Sequence, residues 1–307
     1  MRFLKNFMEI KNNKLVTHNG SFHADDVFAC AAFALMFEKR GESFKVERTR
    51  DMEIIKNGDY VFDVGGVYDP SENRFDHHQK EGAGERENGI PYSSFGLMWD
   101  KFGEEISGSQ KAKELLEKKI VEPIDAFDNG LSLVEKKSEI TPYLIQHMFI
   151  AMHPTWKEDE SLGYEMFLKS VNIAKEILSR EIIKIKAELE AEEILLEIYK
   201  NTTDKRIIVL DRKYPYEEIL NRFPEPTYVI FERRDENKFW EAEAVRDDFK
   251  SFVNRRNFPK AWSGLSGKEL QKVTGVEDAV FCHKGLYMVI AKSKEGVIKL
   301  AELGLKS

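Results

Sequence analysis

Ten residues near the amino end, Thr17-His18-Asn19-Gly20-Ser21-Phe22-His23-Ala24-Asp25-Asp26, constrain this chain more than any other stretch. Five side chains able to ligate a metal or move a proton (His18, Asn19, His23, Asp25 and Asp26) fall within nine residues. The apolar pair Leu15-Val16 precedes them, and a helical pattern from Val27 to Phe37 follows. Strand, loop, helix in that order puts the polar residues at the carboxyl end of a strand, where open α/β sheets bind their ligands. Asp63, which closes the apolar run Tyr60-Val61-Phe62, and the triplet Asp76-His77-His78 repeat the theme. Four of the seven histidines lie in these clusters. The three segments are expected to meet around two divalent ions, which call for a bridging carboxylate with further Asp and His ligands.

The surrounding pattern predicts an α/β chain. Val27, Ala31 and Leu35, flanked by Cys30, Phe33 and Phe37, recur at helical spacing, and Gly41 can end that helix. Phe44–Arg48 alternates as a strand, and residues 59–64 form another, closed by Gly65-Gly66. Strand, helix, strand at this spacing predicts βαβ units and a parallel sheet. Residues 79–92, rich in Gly, Glu and Lys, read as a mobile loop beside the site. Residues 93–102, 110–124 and 143–152 read as helices. From Ser161 to Tyr199 a helical pattern runs without Gly or Pro after Gly163, as in a helix connecting domains. Short strands and helices then alternate from 204 onwards. The expected organisation is residues 1–158 as a metal domain, 159–202 as a helical linker, and 203–307 as a smaller mixed α/β domain.

At 307 residues there is chain enough for two cores. No apolar run approaches the length of a membrane span, the amino end lacks the pattern of a signal peptide, and Cys30 and Cys282 make no disulfide framework. A cytoplasmic protein without a membrane partner is the expectation. The net charge of −7 argues against broad electrostatic capture of nucleic acid. The charge is uneven, however. Residues 204–307 carry 20 Lys/Arg against 17 Asp/Glu, a balance of +3 that leaves −10 for residues 1–203. An acidic half suits cations, and a mildly basic half suits a phosphorylated substrate.

Blander roles compete for several of these residues. Asp25 or Asp26 can cap the helix that follows, with Asp26 the stronger candidate for that role. Asp69 before Pro70 reads as turn chemistry. Asp125 and Asp128 flank a helix end before Asn129-Gly130, and one of them can serve only to fix that turn. His147, His153 and His283 have no acidic neighbours at ligand spacing and read as structural. The cations Lys250, Arg255, Arg256 and Lys260 read as a solvated face unless they lie opposite the metals.

Six stretches resemble a known family: THNGSFHADD, RTRD, VFDVGGVYDPSENRFDHHQ, EPIDAFDNG, HPTW and AWSGLSGKELQKVTGVEDAVFCHKG, spread in order over nearly the whole chain. They are similar to the Myg exonuclease family (melanocyte-proliferating-gene type), a branch of the DHH phosphoesterase superfamily. The resemblance implies a parallel-sheet DHH-type metal domain, a long linking helix and a DHH-associated substrate-binding domain. It implies that His18 and His23 hold one metal, Asp25 and His77 the other, and Asp63 both, with Asp125 or Asp128 completing the second. Asp76 would orient a histidine, and His78 would face the phosphate. His23 stands where the superfamily usually presents an aspartate, which shifts the site toward nitrogen ligands. Manganese is favoured, with magnesium or zinc as alternatives. Asn19, Ser251, Arg255 and Lys292 are the implied substrate contacts. The glycine-rich, histidine-containing segment usual in the second domain is not intact after His283-Lys284-Gly285.

The activity implied is metal-dependent phosphodiester hydrolysis by a metal-activated water, as a 3′-to-5′ exonuclease on RNA or short oligonucleotides. Two alternatives stay open. One keeps the metals but acts on a dinucleotide, nucleotide or pyrophosphate. The other is a non-catalytic, metal-dependent binding module. A homodimer is compatible with the chain.

Overall fold

The structure is a computed structural model that describes residues 11–135, 137–248 and 250–307. The chain is α/β and divides into two compact units, one ending at Lys186 and the other running Ala187–Ser307.

In the first unit the order is β1 (Asn12–Thr17), α1 (Ala24–Arg40), β2 (Ser43–Arg48), α2 (Met52–Lys56), β3 (Tyr60–Phe62), β4 (Tyr68–Asp69) and β5 (Arg74–Phe75). Helices α3 (Ser94–Ser107), α4 (Gln110–Leu116), α5 (Glu122–Asp128) and α6 (Ile145–Ile150) follow. The sheet order is β2-β1-β3-β5-β4. The expectation of a parallel sheet holds for β2, β1, β3 and β5, whereas β4 pairs antiparallel with β5. The reason is the connection. Only a short 3₁₀ turn, Pro70–Glu72, and Asn73 at φ +54° separate β4 from β5. A link that short permits a hairpin but no crossover.

Helix α1 is the centre of the core. Its residues from Ala24 to Phe37 are buried all round except Leu35, which is half-buried rather than part of the core face. Phe33 meets Tyr60, Phe62, Phe75 and Phe102 with ring centroids 5.2–6.1 Å apart. Each fully buried Phe of this kind stabilises the fold by about 1.5–3 kcal/mol. Gly41, at φ +68°, ends the helix, its N–H donating to Glu38 O. The helix expected over 110–124 forms, and it widens within its length: α4 ends at Leu116, a π-helical turn covers Glu117–Val121, and α5 carries the helical backbone on to Asp128. Pro123, which has no N–H to give to the preceding turn, follows directly on that wider turn.

Helix α7 (Leu162–Asn201) is 40 residues long, and the two units divide within it. The second unit continues with β6 (Ile207–Val209), α8 (Glu217–Asn221), β7 (Tyr228–Glu232), β8 (Trp240–Ala244), α9 (Gly267–Thr274), β9 (Ala279–Cys282), β10 (Met288–Ala291) and α10 (Lys294–Lys306). Its sheet, β6-β7-β8-β10-β9, is mixed, with β6 and β7 the parallel pair. One face packs around Tyr228, Phe258 and Trp262, the other around Leu195, Tyr216 and Phe231.

Candidate metal centre

The carboxyl edge of the first sheet gathers the clusters. Thr17 ends β1, and the loop Asn19–His23 leads into α1; Asp63 follows β3, and His77 and His78 follow β5. Asp63 sits at φ +55°, a left-handed conformation uncommon outside glycine. Its amide donates to Phe75 O at 3.2 Å, and Ser94 Oγ donates to Oδ1 at 3.3 Å. The carboxylate divides its oxygens: Oδ2 is 3.0 Å from His18 Nε2, and Oδ1 is 3.3 Å from His77 Nε2. His18 donates Nδ1–H to Asn19 O at 2.9 Å, because a carbonyl can only accept, and so Nε2 is the atom turned to the carboxylates.

Three ligand groups overlap here: His18, His23 and Asp63; His23, Asp25 and Asp128; Asp63, His77 and His78. Within each, one nitrogen or oxygen per residue lies within 4.8 Å of the others. His77 Nε2 is also 3.3 Å from Asp128 Oδ2 and 3.9 Å from Asp25 Oδ2. Asp76 stands behind this set. Its Oδ2 accepts from Gly66 N at 2.5 Å, and its Oδ1 lies 2.8 Å from His78 Nδ1 and fixes that exposed ring.

Electrostatics separate these carboxylates from ordinary buried acids. Asp25 is fully buried, yet among the described residues neither of its oxygens has a hydrogen-bond donor, and Asp26 Oδ2 has none either. Burial holds the Asp25 carboxyl well above the usual range, and Asp63, Asp128 and Asp26 push it the same way. Burial lifts Asp128 as well, and lifts Asp26 to about 7. Burial also acts to raise Asp63, but hydrogen bonds from His18 and His77 outweigh it and hold that group low. Uncompensated buried carboxylates are expensive. A divalent cation would supply the missing charge, and a mixed imidazole–carboxylate set suits manganese, zinc or magnesium. The residues present fit the metals that the sequence implied.

Asp125 and Asp128 are told apart. Asp128 joins a ligand group. Asp125 turns the other way: Oδ1 accepts from Ser93 Oγ at 2.5 Å and Gly96 N at 3.1 Å, and Oδ2 is 2.8 Å from Arg86 Nη2. A Cβ on Gly96 would stand 1.9 Å from Asp125 Oδ2, so this contact requires glycine. Arg86 also pairs with Glu117 at 2.8 Å and stacks on Tyr92 at 4.1 Å. The segment read as a mobile loop is therefore pinned through Arg86, a residue that composition disguised among Gly and Glu. Asp26 accepts from His23 N at 2.8 Å and so caps α1 while lying 3.4 Å from His18.

The remaining candidates are members of none of these ligand groups. Asn19 is exposed, with its carbonyl tied to His18. In the second unit Ser251 Oγ accepts from Val253 N at 2.9 Å. Arg255 donates to Pro226 O at 2.9 Å and Asn221 O at 3.3 Å, so its guanidinium ties the end of α8 to the loop before β7. Lys292 is exposed, and its amide donates to Asp278 O. His147 Nδ1 accepts from Leu144 N, and His283 Nδ1 from Gly285 N, both local turn bonds. Sequence reading missed Ser94 and Arg48, whose contacts depend on strand and helix placement that no local spacing encodes. Among the described residues, no helix is long and apolar enough to cross a membrane.

The family model described as Uncharacterised protein family (UPF0160) matches residues 14–305. The chain is similar to the MYG1 exonuclease of Rattus norvegicus, at 28% identity covering 95% of this chain and 84% of that protein. The MYG1 exonuclease of Homo sapiens is also 28% identical, with 95% and 85% covered. The MYG1 protein of Chlamydia muridarum is 30% identical, with 94% and 96% covered.

Proposed function

The chain belongs to the MYG1 exonuclease family, UPF0160, and on that premise we propose that it is a metal-dependent phosphodiesterase acting as a 3′-to-5′ exonuclease on RNA or short oligonucleotides. The observation that carries this reading is Asp25, a fully buried carboxylate without a donor that shares a ligand group with His23 and Asp128. In this reading the first unit performs DHH-type phosphoesterase chemistry within residues 1–158, 159–202 link, and 203–307 bind substrate. Manganese is the favoured ion. Both cysteines are free and buried, which suits a reducing cytoplasm.

His18 and His23 would hold one ion, Asp25, Asp128 and His77 the other, and Asp63 would serve both through its divided oxygens. Divalent ions at such a site lower the pKa of water toward neutrality and neutralise charge developing on phosphoryl oxygens. The protein's own part is positional. Asp63 is held by its backbone, by Ser94 and by two imidazoles, so its carboxylate is oriented before substrate arrives. Asp76 accepts from His78 Nδ1–H and raises the pKa of that ring, and the protonated imidazolium would donate Nε2–H to a phosphoryl oxygen. Burial of His18, Asp25 and Asp63 keeps bulk water from competing for their ligand atoms.

The test is hydrolysis of 3′- and 5′-end-labelled RNA and DNA oligomers with Mn²⁺, Mg²⁺ or Zn²⁺, alongside Asp63→Ala. A metal-dependent ladder shortening from the 3′ end, absent in the variant, is expected. Phosphate release from pyrophosphate or from small nucleotides alone would move the substrate class. Silence on every phosphodiester with metal bound would defeat the enzyme reading.

A further inference from the structure

We propose that the cleft beside the His18–His23 loop is a nucleoside-phosphate subsite with Arg50 as its phosphate anchor. The identity of the ligand rests on the phosphodiester reading above; the existence of the subsite rests on geometry of its own. β1 and β2 run parallel with Thr17 opposite Arg48, and Thr49 N donates to Thr17 O at 2.8 Å. Residues leaving β2 therefore continue alongside those leaving β1, at the edge where parallel sheets collect ligands. The cavity there is about 900 Å³, and its wall includes His18, His23, Arg48, Arg50, His153 and Tyr164. A nucleotide fits within that volume, since small-ligand clefts span roughly 300–1,000 Å³. Two stretches that the family resemblance singled out without assigning them work, Arg48–Asp51 and His153–Trp156, thus meet on the cavity that opens onto two metal-ligand histidines.

The walls divide their labour. Arg48 is committed to the loop: Nη2 donates to Gly20 O at 2.9 Å, and the guanidinium lies 4.5 Å from the Phe167 ring centre and 5.5 Å from that of Phe22. His153 Nε2 lies 2.6 Å from Phe22 O and must carry the hydrogen, because the carbonyl only accepts. Both residues position the segment that carries His18 and His23. Arg50 differs. It is exposed, and among the described residues its guanidinium makes no hydrogen bond or ion pair. Five N–H donors on a planar fork, uncommitted and beside metal ligands, match the oxygens of a phosphate next to the one being cleaved. Glu160 is the one carboxylate on this wall among the described residues, and two guanidiniums oppose it. Tyr164 donates its hydroxyl to Val46 O at 3.1 Å, which leaves its half-exposed ring as a fixed face for a base.

The deciding experiment is calorimetric titration of the whole chain with a nucleoside 3′,5′-bisphosphate in EDTA, which reads the cleft without metal or turnover. Wild type is expected to bind, and Arg50→Ala to weaken binding about tenfold to a hundredfold, with Arg50→Lys in between. Unchanged affinity in Arg50→Ala, or no binding by wild type, overturns the subsite. In turnover, Arg50→Ala should lose at least tenfold more kcat/KM, through KM, on a 5′-phosphorylated dinucleotide than on bis(p-nitrophenyl) phosphate, which has no second phosphate or base. Equal losses on both overturn the assignment. A wild type that binds the bisphosphate through Arg50 but hydrolyses neither substrate would remove the enzyme reading and support the subsite.

Discussion

Buried acids occur in both units, but in opposite states. On β8 of the second unit, Glu241 and Glu243 are enclosed with their partners built in: Arg233 Nη1 donates to Glu241 at 2.6 Å, Lys213 to Glu243 at 2.8 Å, and the Tyr216 hydroxyl also donates to Glu243. At the edge of the first sheet, Asp25, Asp63 and Asp128 crowd together with imidazoles, and among the described residues their ion-pair partners are histidines alone. The first kind is satisfied by the fold. The second kind waits for charge from outside. Asp125, satisfied by Arg86, and Asp128, left among ligands, show the same contrast three residues apart on α5.

The sharpest way to break this comparison is Asp63→Ala. Removing the carboxylate shared between ligand groups should lower metal-dependent turnover by about 10³-fold or more, since several kcal/mol of charge stabilisation depend on it. Retention of wild-type kinetics would end its assignment as a shared ligand. The next test sets Asp125→Ala against Asp128→Ala in urea unfolding. Asp125→Ala removes one of the two carboxylates on buried Arg86 and the acceptor of Ser93 Oγ and Gly96 N, and should cost about 1–3 kcal/mol. Asp128→Ala removes a like charge from a crowded set, so the metal-free chain should be no less stable while metal affinity falls. Equal stability losses would erase the distinction.

Metal itself should sharpen the contrast. Manganese at about 100 times its Kd should stabilise wild type by about 2.7 kcal/mol, read as a rise in Tm, and should leave Asp63→Ala nearly unmoved. Asp76→Asn weakens the hold on His78 and should reduce turnover by about 10- to 100-fold, measured as kcat. The smallest effect belongs to β8. Burial, with help from Glu243 and against Arg233, raises Glu241 from 4.5 to about 7. The folded state then holds this proton more tightly than the unfolded state, so the stability it contributes is full below pH 4.5 and is lost as pH rises to about 7. Glu241→Gln should flatten that limb of the stability profile, by less than the ceiling of about 3 kcal/mol that a shift of this size sets; an unchanged slope across the window would show that Glu241 does not titrate there.

Much of the site was legible because the chemistry is local in sequence. His18, His23 and Asp25 share one loop and helix start, His77 and His78 are adjacent, and Asp63 ends a visible strand. Elements with a strong period, such as α1, α7 and the strands of the second unit, were legible for the same reason. Contacts that depend on distant packing were not. Arg86 lies in a segment whose Gly and Glu content suggested mobility, yet it reaches α5 and the turn before it. The substrate role expected for Arg255 came from the family resemblance, and no local pattern foretold that its guanidinium donates to the carbonyls of Pro226 and Asn221.

By itself the sequence determined which donors are available and that they sit at strand ends of an α/β chain, because strand and helix periods and ligand identity are properties of neighbouring residues. Only the tertiary structure decided which donors share a site. Asp125 and Asp128 differ by three positions, so at 3.6 residues per turn they point to adjacent faces of one short helix. Which face meets His77 is set by how α5 packs after the π-helical turn at Glu117–Val121, and the same rotation turns Asp125 toward Arg86. The hairpin that reverses β4, and the parallel register that brings Arg50 beside the His18–His23 loop, are likewise consequences of chain return over distances that no local pattern records.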